Sequence, residues 1–286
     1  MAAEISLPVR TERGMEFVSH DGTKLTGDLY RPEGGGDHPV VIAIHGGGWK
    51  RGEARNYQYW GPWLASRGIA LYAIDYRLVE GERNRYPAAV HDVRAAVQFL
   101  RANAPRLGLD SARIGLVGDS AGAHLAALVA LAGDTPLFAE ACRQDPHAGV
   151  STAVKAVVGI YGVYDMLAQW RHDLVARPRD QITEQFLGVS AIEDKFRYFE
   201  ASPLAHATVA ARKTAFLIAW GDNDDIVDWR DQSEAFVIAL KQAGAVVRTV
   251  ALATAPHFWM SEPIDEPGSF AALLAPRLLR FLREQL

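Results

Sequence analysis

Cysteine is almost missing from these 286 residues. Cys142 is the only one, so no disulfide can close within the chain, and the expectation is a free thiol in a reducing, cytoplasmic setting. A basic excess is missing as well. Thirty Lys and Arg against 34 Asp and Glu leave a formal net charge of −4, which gives nucleic acid or an anionic membrane nothing to hold. Residues 1–14 carry Glu4, Arg10, Glu12 and Arg13 without an apolar h-region, and no later run reaches membrane-spanning length. The chain contains no H-E-x-x-H, no cysteine cluster, no G-x-x-x-x-G-K-[ST] and no G-x-G-x-x-G, so neither a metal nor another cofactor is expected. There is also no internal repeat and no linker-like composition, and residues 1–286 read as a single domain.

What is present is ordinary for a globular enzyme: 49% apolar residues, enough to bury a large core. The turn pair Asp21-Gly22 joins strands over Met15 to His20 and Lys24 to Arg31. Buried strands then recur at 39–44, 69–74, 113–117, 154–160, 214–220 and 245–252, alternating with helical stretches. Pro87 opens one such helix, with Asp92 in its first turn favouring the positive end of the dipole. The pattern predicts a mostly parallel α/β sheet of about eight strands covered by helices on both faces. Between 163 and 208 the rhythm breaks, and that segment is the candidate lid.

The centre of the sequence is Gly118-Asp119-Ser120-Ala121-Gly122, placed after the apolar run 113–117 and opening the Ala-rich stretch 123–132. Strand, sharp turn and helix with a serine at the apex is the arrangement of a nucleophile elbow. An alcohol needs a base to take its proton and a carboxylate to orient that base. In this architecture the order is serine, acid, histidine, and of nine histidines only His257 follows the acidic loop 222–228. The spacing G-x-x-D-x-x-V selects Asp224 as the acid, with Asp225 in reserve. Backbone amides for a developing oxyanion are on offer in His45-Gly46-Gly47-Gly48 and at Ala121, where a helix begins. His124, one turn after the serine, is expected to pack beside the elbow, and His45 to brace the glycine loop.

In order along residues 39–258, the segments His45-Gly46-Gly47-Gly48-Trp49, Asp75-Tyr76-Arg77-Leu78, Tyr86-Pro87-Ala88-Ala89 with Asp92, Gly118-Asp119-Ser120-Ala121-Gly122 and Ala201-Ser202-Pro203-Leu204, with the Asp224 and His257 loops, resemble the hormone-sensitive-lipase-like and feruloyl-esterase-like branch of the α/β-hydrolases. The resemblance implies an oxyanion hole formed by the amides of Gly47, Gly48 and Ala121, and carboxylesterase activity, with arylformamidases among the relatives. The sequence departs from the branch in lacking the long N-terminal cap of many members and in having Asp225 where a proline usually follows the catalytic aspartate.

The expected function is therefore hydrolysis of a small carboxylic ester by Ser120, Asp224 and His257. An arylformamidase with the same triad is the alternative within the class, and a silent hydrolase-fold binding protein the alternative outside it. Trp49, Tyr57, Tyr59, Trp60, Trp63, Phe258 and Trp259 cluster in sequence around the loops flanking the serine. Of these, Trp49, Phe258 and Trp259 are the expected substrate contacts, in a pocket for short acyl or aromatic groups. Association into a homo-oligomer is left open.

Overall fold

The computed structural model describes residues 6–286, so Glu4 of the charged N-terminal stretch lies outside the described residues. Strands β1 (Val9–His20) and β2 (Thr23–Pro32) form the expected hairpin, closed by Asp21 at φ 48° and Gly22 at φ 76°. Two successive left-handed residues match the twist of a two-residue hairpin loop. β1 starts at Val9 rather than near Met15, because a register shift between Glu12 and Met15, with Gly14 at φ 64°, lets pairing continue beyond the irregularity.

Then follow β3 (His38–Ile44), α1 (Trp60–Ala65), β4 (Ala70–Ile74), α2 (Ala88–Leu107), β5 (Leu109–Asp119), α3 (Ala121–Ala132), the short α4 (Pro136–Ala139) and β6 (Ala156–Ile160). Helices α5 (Met166–Ala176), α6 (Ile182–Leu187) and α7 (Lys195–Glu200) occupy the stretch where the rhythm breaks. The chain closes with β7 (Ala215–Gly221), α8 (Ala235–Gln242), β8 (Val246–Leu252) and α9 (Phe270–Gln285). The helical stretch before β8 opens as a wide turn over Arg230–Glu234, after which α8 begins.

The eight strands form one sheet in the order β1-β2-β4-β3-β5-β6-β7-β8, antiparallel through the hairpin and parallel from β4 onward. This is the α/β-hydrolase fold. Along β3, Val40, Ile42 and Ile44 face the core shared with α2 and α3, while Val41 and Ala43 face the core shared with α1 and α9. A parallel strand is apolar throughout because both of its faces are covered. Ser120 follows the end of β5, and the 45–49 loop, the 222–228 loop and the 253–259 loop leave the carboxyl ends of β3, β7 and β8. Four distant segments thus converge on one edge of the sheet. Among the described residues no helix is long and apolar enough to cross a membrane.

Asp92 corrects the expectation from the helix dipole. It is fully buried, and its carboxylate accepts from the Arg77 backbone amide at 2.8 Å and the Arg77 guanidinium, and from His20 Nδ1 at 2.6 Å. Its partners come from β1 and from the loop after β4, which only the folded chain brings to the start of α2. The other His20 nitrogen, Nε2, lies 3.1 Å from both carboxylate oxygens of Asp145. The hydrogen bond to Asp92 holds the His20 pKa above its ordinary 6.5, against the opposing effect of burial. A histidine raised in the fold stabilises it fully below pH 6.5, and that contribution is lost as pH rises through the raised value. His20→Gln is expected to abolish this part of the decline in stability, measured as urea midpoints between pH 5.5 and 9. Parallel pH curves for the two chains would show that the pair carries no charge coupling.

Candidate active site

The elbow is built by close contacts. Ser120 sits at φ 51°, ψ −119°, a strained conformation for a residue with a Cβ, and this lifts its hydroxyl off the sheet. A Cβ on Gly118 would strike the Gly122 carbonyl, and one on Gly122 would strike the Ile44 carbonyl at the end of β3. The two flanking glycines therefore let the strand, the turn and the following helix close on one another.

His257 reaches the elbow from the loop after β8, its side chain almost wholly buried. Its Nε2 lies 2.9 Å from Ser120 Oγ and its Nδ1 lies 2.6 Å from Asp224 Oδ2. With the hydrogen on Nδ1, the imidazole donates to the carboxylate and accepts from the hydroxyl. Asp224 Oδ1 is held separately, by the amides of Ile226 at 2.9 Å and Val227 at 3.0 Å. Asp225 is exposed, and its backbone carbonyl meets His172. The two loops are tied together, since Asn223 N donates to Ala255 O and Thr254 N to the Asp222 carboxylate. The ring of Tyr161, at 4.4 Å between centroids, packs against the imidazole.

The glycine loop is fixed from beneath. Gly46 N donates to Asp119 Oδ1 at 3.1 Å, which uses up that amide, whereas the amides of Gly47, Gly48 and Ala121 make no hydrogen bond within the described residues. All three of these residues line the cavity above Ser120. Gly47 at φ 110° lies against the Arg51 carbonyl, which leaves no room for a side chain, and Gly48 at φ 59° takes a left-handed backbone that favours glycine, with the end of the Ile182 side chain beside it. Asp119 also accepts from Tyr57 OH at 2.9 Å. Burial pushes its carboxyl up from the ordinary range, against the donors that stabilise its charge. His45 stacks on Tyr76, and burial pushes it down to about 4, so it stays neutral beside the loop. His124 is likewise pushed down to about 4 by burial, accepting from Trp49 Nε1 at 3.2 Å and donating to Ala201 O at 2.8 Å.

The cavity has a volume of about 180 Å³ and is walled by the glycine loop, the 226–227 and 257–258 turns, and residues from α5 and α6. Trp49 and Phe258 line it, Trp49 buried and stacked at 4.4 Å on Phe186 of α6, Phe258 largely exposed at the rim. Trp259 requires correction. It is 1% exposed and packs against Tyr161 and Phe270 in the core beneath the sheet, not in the cavity wall. Phe258, at φ 69°, turns the backbone so that consecutive rings point opposite ways. Tyr57 and Trp60 are core residues too. Sequence reasoning missed Tyr161, Gln169, Arg177 and Ile182; the break in rhythm marked the segment holding the last three, but not which side chains turn inward.

One metal-capable group occurs among the described residues: His20, Cys142 and Asp145, whose donor atoms lie within 4.8 Å of one another. Sequence spacing gave no sign of it. His20 already spends both nitrogens on Asp92 and Asp145, and the group is far in sequence from the serine, so its geometry is accounted for as an ion pair.

A family model described as BD-FAE matches residues 27–240. The chain is 34% identical to the esterase LipQ of Mycobacterium tuberculosis, over 77% of its own length and 49% of that protein's. It is 32% identical to a probable isoprenylcysteine alpha-carbonyl methylesterase, ICMEL1, of Oryza sativa, over 76% of its length and 50% of the relative's. The chain thus spans about half the length of the curated relatives it matches. In three dimensions it is similar to Est2, a thermophilic esterase of Thermogutta terrifontis also solved with propionate and with butyrate bound. The TM-score is 0.76 at 23% identity, covering 99% of this chain and 93% of that one.

Proposed function

The chain belongs to the BD-FAE family, and on that premise we propose that it is a serine carboxylesterase acting on small esters. One observation carries the reading: a single imidazole touches both a hydroxyl and a buried carboxylate. Ser120 attacks the ester carbonyl while His257 takes its proton, and the negative oxygen settles against the amides of Gly47, Gly48 and Ala121. His257 returns the proton to the departing alcohol. Water then repeats the sequence on the acyl-enzyme, releasing the acid. Asp224 keeps the imidazole in the working tautomer and stabilises its positive charge.

The 163–208 insertion acts as the lid of a single catalytic domain, since α5 and α6 supply one wall of the cavity. A volume of about 180 Å³ favours short acyl groups, as does the occupancy of Est2 by propionate and butyrate. The free Cys142 and the acidic balance support a cytoplasmic enzyme without nucleic-acid or membrane partners.

A fluorophosphonate is expected to label Ser120, located by peptide mass spectrometry, and an ester series from acetate to decanoate to give its highest kcat/KM among the shortest chains. Absence of a Ser120 adduct would defeat the serine mechanism. A preference for ten carbons or more would defeat the short-acyl reading.

A further inference from the structure

The cavity above Ser120 carries unpaired cations on its wall. Lys50, Arg51 and Arg177 stand on its wall with Asp180 as the one carboxylate among the lining residues, in a chain whose overall charge is −4. Compensation within the wall is incomplete. Arg177 pairs with the buried Asp173 at 2.5 Å and donates to Ile226 O at 3.3 Å, but its Nε is buried without an acceptor. Lys50 donates to the neutral amide oxygen of Gln185. Among the described residues neither Lys50 nor Arg51 forms an ion pair. Against Asp180, Asp173 and the Asp224 carboxylate behind His257 the three cations are balanced in number, but Lys50 and Arg51 have no carboxylate partner of their own, which leaves two unpaired cations on the wall.

Resting on the reading of Ser120 as an ester-cleaving nucleophile, we propose that the preferred substrates are esters bearing a second, anionic carboxylate that sits against Lys50, Arg51 and Arg177. A half-enclosed, partly apolar cavity strengthens such attraction relative to open water. With a monoester of a dicarboxylic acid, the C–O bond to the alcohol breaks, the alcohol leaves with the proton from His257, and water releases the dicarboxylate from Ser120. The spectator carboxylate is unchanged throughout.

The test compares each anionic ester with its neutral amide isostere: monomethyl succinate with methyl succinamate for a carboxylate on the acyl side, and 4-carboxyphenyl acetate with 4-carbamoylphenyl acetate for one on the alcohol side. In at least one pair kcat/KM is expected to favour the anion by about tenfold or more, and the advantage to shrink in 0.5 M NaCl. The same advantage is expected to drop at least about fivefold in a Lys50→Gln/Arg51→Gln double variant, chosen because neither side chain pairs with a buried charge as Arg177 does. Binding of the same four esters to the Ser120→Ala chain, measured by calorimetry, gives a readout independent of turnover. Cleavage of the amide esters as fast as the anions in both pairs overturns the inference and leaves the esterase reading standing. Tighter binding of an anion with no cleavage of any ester overturns the esterase reading, and with it the substrate assignment, while leaving an anion-binding cavity. Equal binding within both pairs overturns the inference whatever the rates.

Discussion

Ser120→Ala is expected to lower kcat on a short-chain ester by about 10⁴ to 10⁶, with little change in KM or in melting temperature. In the proposed mechanism the hydroxyl oxygen forms the bond to the substrate, so nothing else in the site replaces it, while its removal leaves a buried imidazole still held by Asp224. Because serine and base act as a unit, adding His257→Ala should cost little beyond the first substitution. Steady-state kinetics of the two singles and the double decide the matter. A Ser120→Ala chain hydrolysing p-nitrophenyl acetate at the parent rate would remove the serine from the mechanism. A double variant slower than either single by a further factor of 10⁴ or so would show that His257 works apart from Ser120.

The acid gives the second large effect. Asp224→Asn keeps the shape of the loop but turns the acceptor facing Nδ1 into a group that can present a donor, favouring the wrong imidazole tautomer; the expected loss in kcat is about 10³ to 10⁴. Asp225→Asn, at an exposed position while Asp224 holds the histidine, should stay within about twofold of the parent. The pair discriminates two neighbours that the sequence alone separates only by spacing. Losses of equal size in both variants would mean that the loop acts as a whole and that Asp224 has no special part.

Much of this site is legible in the chain because the fold imposes an order on it. A serine between glycines after an apolar run, an acidic loop after a later strand and one remaining histidine leave little freedom, and the structure brings Ser120, Asp224 and His257 within hydrogen-bonding distance. What sequence hides is the direction in which a side chain points when no periodicity governs it. Phe258 and Trp259 are adjacent in an irregular loop, yet one lies at the cavity rim and the other in the core. Asp92 suffers from the same blindness over longer range, since Arg77 and His20 meet it only after β1, β4 and α2 have assembled. Helix α5 is legible as an interruption, but the succession of Gln169 and Asp173 within it and Arg177 just past its end gains meaning only when the cavity beside it is seen.

Trp49 is joined to two neighbours at once: its ring lies flat on Phe186 and its indole N–H is given to His124, which in turn reaches the backbone just before Ser202. The glycine turn and the 163–208 segment therefore share one aromatic spine. A chimera carrying a foreign 163–208 segment on this body would have to bring a flat ring to position 186, or redesign position 49 with it, since the glycine turn proposed to cradle the anion is anchored at its far end by that same indole.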